Sequence, residues 1–130
     1  MRIAPIFLLL VACSSEAPQE PERRLFAGQG RDRLCLDGDR IGFVAYGSGD
    51  ANCSVRGRID RADGSVTIVP TGDSDCRIPA ELSDTSLRLG QRSEACGYYC
   101  GPSADFAGRR FQAVSGTPRD AKDFGGDPLC

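Results

Sequence analysis

The sequence predicts a mainly β domain: a small antiparallel barrel or sandwich of about seven short strands, disulfide-bonded, with one short C-terminal helix. Three observations predict it. Apolar and polar residues alternate with period two in several stretches, Gly-rich turns separate them at regular intervals, and six Cys fall inside the same region.

Leu34–Leu36 and Ile41–Tyr46 are apolar runs on either side of the turn Asp37-Gly38-Asp39. In Cys53–Asp60 one face holds Cys53, Val55, Gly57 and Ile59, and the other holds Ser54, Arg56, Arg58 and Asp60. That alternation marks a half-buried strand. Arg61-Ala62-Asp63-Gly64 turns the chain, and Val66–Val69 returns as the partner strand. Cys76, Ile78, Ala80 and Leu82 share the next face. Pro79 cannot donate a ladder hydrogen bond, so this strand is expected at an edge or a bulge. Ser86–Leu89 and Arg110–Val114 complete the set. Ser93 is placed to begin a short helical turn running to Cys100. Thr117-Pro118-Arg119-Asp120 has a capping residue, Pro at the first helical position and an acidic first turn, with Gly125 as the expected stop.

The motif Gly49-Asp50-Ala51-Asn52-Cys53-Ser54-Val55 is echoed by Gly72-Asp73-Ser74-Asp75-Cys76-Arg77-Ile78. Each copy follows an apolar strand and precedes an alternating one, so each is a loop that returns the chain to the sheet. Two copies make a repeated hairpin device, since a solenoid needs at least about three repeats.

The N-terminus carries an address. Arg2 precedes the apolar run Ile3–Val11, which is too short for a bilayer span of roughly 20 residues and has the layout of a secretory signal. Its end, Leu10-Val11-Ala12-Cys13, resembles the lipobox of bacterial lipoprotein precursors. The resemblance implies a signal peptide over 1–12, cleavage after Ala12, and lipid with palmitate-type acyl chains on Cys13. Two or three acyl chains hold a protein on a membrane durably, where one does so marginally. Ser14 is not the Asp that favours inner-membrane retention in such proteins, so the resemblance favours the outer membrane. Residues 13–24 form the lipidated Cys and a disordered tether. Ser14–Arg24 includes Pro18, Pro21 and three Glu but no large apolar side chain. A single domain is expected over 25–130, roughly 100 residues, enough to bury about two-thirds of its unfolded surface.

An exported chain meets an oxidising compartment, so Cys35, Cys53, Cys76, Cys96, Cys100 and Cys130 are expected to be in disulfides rather than on zinc. If strands 53–60, 65–70 and 76–82 form a meander, Cys53 and Cys76 start strands about 9–10 Å apart. A disulfide needs Cα atoms within about 7 Å, which excludes that pair. Cys35 lies toward the opposite end of the sheet. This favours Cys35–Cys130 and leaves Cys53 and Cys76 to share Cys96 and Cys100, in an order left open.

The composition excludes several chemistries. The formal net charge of −2 gives no basic excess for nucleic acid, and the absence of His excludes Ser-His-Asp and Cys-His catalysis and His-ligated metals. Gly47-Ser48-Gly49-Asp50 precedes a strand, so no helix N-terminus stands ready for a phosphate. Asp37-Gly38-Asp39 and Asp73-Ser74-Asp75 lack the regular ligand spacing of a calcium loop and read as turns. No spacing selects a carboxylate pair for glycoside hydrolysis. Cys96-Gly-Tyr-Tyr-Cys100 has three residues between its Cys, not the two of a thiol redox centre. No cofactor, no metal and no catalytic residue is expected.

The loops at 47–52, 71–75 and 90–108 are expected at one end of the sheet. The last is the longest and carries Tyr98, Tyr99 and Phe106, with Arg92 and Arg109 at or beside it. Aromatic and Arg side chains are the usual energetic anchors of interfaces. Tyr98, Tyr99, Phe106 and Arg109 are the candidate binding residues.

Leu34–Tyr46 is similar to the first hairpin of the periplasmic and membrane-bound inhibitors of c-type lysozyme, which are small antiparallel barrels and often lipoproteins. The resemblance implies an early Cys bonded to a late one, here Cys130. Their inhibitory loop carries Ser-Gly-x-x-Tyr, and the nearest stretch here, Ala107-Gly108-Arg109-Arg110-Phe111, replaces both the Ser and the Tyr. The expected function is a membrane-anchored envelope lipoprotein acting as a non-catalytic binding module, of lysozyme-inhibitor type by resemblance. Its partners would be the membrane through the anchor and an envelope or extracellular protein or glycan. The alternative is a small envelope hydrolase or thiol redox protein.

Overall fold

The computed structural model describes residues 22–62 and 65–130. Cys13, the signal segment and most of the tether lie outside the described residues, as do Asp63 and Gly64 of one predicted turn. Eight strands form a closed antiparallel barrel: β1 (Arg23–Ala27), β2 (Arg33–Asp37), β3 (Arg40–Tyr46), β4 (Asn52–Ala62), β5 (Ser65–Pro70), β6 (Ile78–Leu82), β7 (Ser86–Leu89) and β8 (Arg110–Val114). Each strand pairs with its neighbours in sequence. β8 returns to β1 through Leu25↔Val114, Phe26↔Ala113 and Ala27↔Gln112.

The eighth strand, absent from the sequence expectation, is β1. It begins in the stretch read as tether, two residues before the expected domain start. The charged pair Arg23-Arg24 hides it. Arg24 is in register with the inward-facing Leu36, at an interior position near the barrel end. Its guanidinium lies 4.6 Å from the Phe26 ring centroid and donates to Glu22 Oε1 at 2.8 Å and to the carbonyls of Ser83 and Asp84. The aliphatic stem lines the barrel while the head closes its end. Burial pushes the Glu22 carboxyl up, but hydrogen bonds from Arg24 and Arg61 outweigh it and leave its pKa lowered.

Closure also revises the place of Pro79. β6 lies between β5 and β7, and Pro79 pairs in register with Thr67. Pairing with β7 starts one residue later, at Ala80↔Leu89, and the Pro79 carbonyl accepts the Gly90 N–H at 2.7 Å. An imino nitrogen is tolerated there because it falls where the second ladder has not begun. β6 starts at Ile78, so Cys76 stands just before it.

Inward residues fill the barrel, with Phe26, Phe43, Phe106 and Phe111 fully buried among aliphatic side chains. Eight strands leave an interior that side chains can fill. A second, smaller cluster lies outside the sheet, where Ala121 and Leu129 of the C-terminal segment cover Leu25, Cys35 and Val44. Gly42 makes this covering possible, since a Cβ there would stand 2.4 Å from the Leu129 carbonyl oxygen.

The expected C-terminal helix is only a 3-10 turn, Pro118–Asp120. The Asp120 carboxylate accepts the Thr117 N–H at 2.8 Å at the start of the turn. The turn ends at Ala121 because that residue is buried against the sheet and its carbonyl accepts the Leu129 N–H at 2.9 Å. The chain then doubles back through an isolated bridge between Lys122 and Pro128, and Gly125 lies in that reversal.

Strand polarity sorts the connections. The segments 28–32, 47–51, 71–77 and 90–109 leave the barrel at one end. The other end carries the tight turns and the start of β1.

Candidate functional site

The segment between β7 and β8 is the longest connection, and covalent bonds hold it across the barrel mouth. Cys100 is bonded to Cys53 and Cys96 to Cys76, while Cys35 is bonded to Cys130. The two echoed loop motifs thus have a common use, because each supplies the Cys that grips the same long segment. Gly49 and Gly72 hold positive φ of 62° and 76°, the turn conformation that glycine adopts without strain.

Between those anchors runs a 3-10 helix, Glu94–Tyr99. Ser93 occupies its N-cap position without a capping side-chain bond. The backbone then pairs back to the barrel, with Gly101 N–H donating to the Asn52 carbonyl at 2.9 Å. Beyond it Phe106 enters the barrel and meets Phe43 edge to face, with centroids 5.3 Å apart. Burying such a ring contributes about 1.5–3 kcal/mol, so the segment is held by packing as well as by sulfur.

The four candidate binding residues therefore have different fates. Phe106 is fully buried and is a core plug, not a surface contact. Arg109 is a brace: Nη1 donates to Asp32 Oδ2 at 2.8 Å and Nη2 to the Tyr46 carbonyl at 2.9 Å. Tyr99 is half-buried and its hydroxyl donates to Asp73 Oδ2 at 2.7 Å. Tyr98 is 90% exposed and stands perpendicular to Tyr99, with centroids 5.3 Å apart. Arg92 is occupied with the Ala104 carbonyl at 3.4 Å.

No family model, curated protein or solved structure matches this chain. In the stretch Ala107–Phe111, Phe111 is an interior residue of β8 and Gly108 turns with φ 72°.

Asp73 was legible in the sequence only as a turn former. It does make that turn, accepting the Asp75 N–H at 3.1 Å and the Cys76 N–H at 3.3 Å. Its second oxygen orients Tyr99. The Tyr99 hydroxyl bond, with these backbone bonds, holds the Asp73 carboxyl below its ordinary range. Burial, and then the same carboxylate, push the Tyr99 hydroxyl up to about 12. Asp75 and Glu94 are exposed on the neighbouring segments. Arg77 and Arg92 are exposed on the same segments, so the result is an aromatic pair, oriented by Asp73, within a surface of mixed charge. Among the described residues, no group of three or more Cys, Asp or Glu is placed to hold a metal, and no helix is long and apolar enough to cross a membrane.

Proposed function

We propose that the chain is an envelope lipoprotein, anchored through lipid on Cys13 with the outer membrane favoured, whose barrel is a non-catalytic binding module of lysozyme-inhibitor type. The observation that carries the binding role is Tyr98. A large aromatic ring 90% exposed is ordinarily mobile and unfavourable in water, yet this one sits between Cys96 and Cys100, both disulfide-bonded to the barrel. An aromatic held in place in advance loses little freedom on contact, which is what an interface anchor requires. The closed antiparallel barrel and the Cys35–Cys130 bond favour the inhibitor type, since the resemblance implies both. The tether would join the barrel at the end where β1 starts, so Tyr98 would point away from the membrane.

The full chain, purified in neutral detergent, would be added to a c-type lysozyme turbidity assay beside Tyr98→Ala. Slowed lysis that the variant loses is the expected result. No slowing at large molar excess removes the inhibitor type, and hydrolysis of peptidoglycan by the chain itself overturns the non-catalytic reading. Fatty-acid labelling in cells tests the anchor: Cys13→Ser is expected to carry no label, and a labelled variant sinks the assignment.

A further inference from the structure

A groove of about 790 Å³ lies on the outer face of β4. The C-terminal segment at Pro128–Cys130 forms one wall, Thr71 and Gly72 the other, and the β2–β3 turn closes one end. Its volume falls in the range of small-ligand sites, roughly 300–1,000 Å³. Val69 and Leu129, each 1% exposed, give it an apolar lining.

The charges in it are unusual. Arg40 on β3 and Arg58 on β4 are directly opposite in the antiparallel register. Residues so paired share one face, and like charges there repel. Neither is fully neutralised by the fold. Arg58 reaches Asp60 at 3.1 Å, but Arg77 approaches the same carboxylate at 3.8 Å. Arg40 is exposed and has no carboxylate within 4.0 Å among the described residues. Arg56 is committed to the wall, donating to Asp123 at 2.7 Å and to the Pro128 carbonyl at 3.0 Å. Among the carboxylates lining the groove, Asp37 is engaged by Arg23 at 3.3 Å, Asp39 is exposed in the turn, and Cys130 carries the terminal carboxylate.

We infer that this groove binds the phosphate group of a small ligand, with Arg40 and Arg58 as its two guanidinium clamps. A phosphate between them would turn a repulsive cross-strand pair into two charge-assisted, fork-shaped contacts. Thr71 brings a hydroxyl to the same groove, and the apolar lining would take the ligand's uncharged part.

The full chain in neutral detergent would be titrated calorimetrically with inorganic phosphate and with glycerol 3-phosphate. Saturable heat is expected, with affinity about tenfold weaker in Arg40→Ala and in Arg58→Ala and unchanged in Arg88→Ala, which pairs with Glu81 elsewhere on the sheet. Matching circular dichroism spectra of the variants show that the barrel is intact. Repeating the titration with the chain in phosphatidylcholine vesicles, with and without phosphatidylglycerol, separates the ligand sources. Heat suppressed by phosphatidylglycerol assigns the site to a lipid headgroup, and unchanged heat assigns it to a soluble phosphate ester. No saturable heat from either phosphate, or equal affinity in all three variants, overturns the inference.

Discussion

Asp32 and Arg109, 77 residues apart in sequence, meet at 2.8 Å where the first and last loops of the barrel mouth come together. Asp32 is 2% exposed, and its other oxygen accepts the Tyr46 N–H at 2.8 Å. Arg109 spans from this carboxylate to the Tyr46 carbonyl, so one side chain ties β8 to β3 and to the β1–β2 loop. Truncating it leaves a buried carboxylate without its counter-charge. Because the Arg side chain is 28% exposed, water would partly replace it. Arg109→Ala is expected to cost about 2–4 kcal/mol in denaturant unfolding. Arg109→Lys is expected to recover only part, because an ammonium cannot reproduce the fork.

The Tyr99–Asp73 bond predicts the behaviour of the patch with pH. Tyr99 has its pKa raised to about 12, so its contribution to stability is complete below the ordinary value of 10.0 and is lost as pH rises through about 12. Asp73 has its pKa lowered, so its contribution is complete above the ordinary 3.8 and is lost as pH falls through the depressed value. Alkaline titration of tyrosinate absorbance is expected to show a step near 12 that Tyr99→Phe removes. The stability advantage of wild type over Tyr99→Phe is expected to shrink at both extremes and hold between them.

Gly42→Ala tests how the C-terminal segment lies on the sheet. The new methyl would meet the Leu129 carbonyl oxygen at 2.4 Å and the Leu129 carbonyl carbon at 2.9 Å. Backbone must move, at a cost of about 1–3 kcal/mol. The expected outcome is a lower melting temperature together with faster proteolysis between residues 115 and 130.

The disulfides are expected to divide stability from recognition. Cys35–Cys130 spans 95 residues, so its removal by paired Ser substitution is expected to cost about 4–5 kcal/mol in thermal or denaturant unfolding. It leaves the Tyr98 end intact. Cys76–Cys96 spans 20 residues, with an expected cost of about 3 kcal/mol, but its loss frees one side of the turn that presents Tyr98. Partner binding, measured on the folded fraction, is expected to fall far more in the second variant than in the first.

Period-two alternation made the inward face of β4 legible, because Cys53, Val55, Gly57 and Ile59 are all buried, but the strand runs on through Arg61 and Ala62, which read as part of the turn. The steric limit on disulfides likewise makes the absence of a Cys53–Cys76 bond legible, and the two Cys are bonded instead to Cys100 and Cys96. β1 escaped because its interior position near the barrel end is an Arg, and an aliphatic stem under a charged head reads as polar in sequence. The 3-10 turn at Pro118 carried true helix-start signals, but tertiary packing of Ala121 decided its length. At the mouth, composition placed Tyr98, Phe106 and Arg109 in one segment and said nothing about which would turn inward. That depends on the hole Phe43 leaves in the barrel and on the buried Asp32, both far away in sequence. The pairing of Arg40 with Arg58 was not legible in the sequence, because their opposition exists only in the register of β3 on β4.

The hydrogen bonds between β8 and β1 complete a ring in which no strand has a free flank. Among the described residues, such a ring offers a neighbour no edge strand, and so no ready template for an extended peptide to add a strand. Recognition by the barrel therefore falls to side chains at its mouth or along its wall, and crowding of barrels carries less risk than crowding of open sheets.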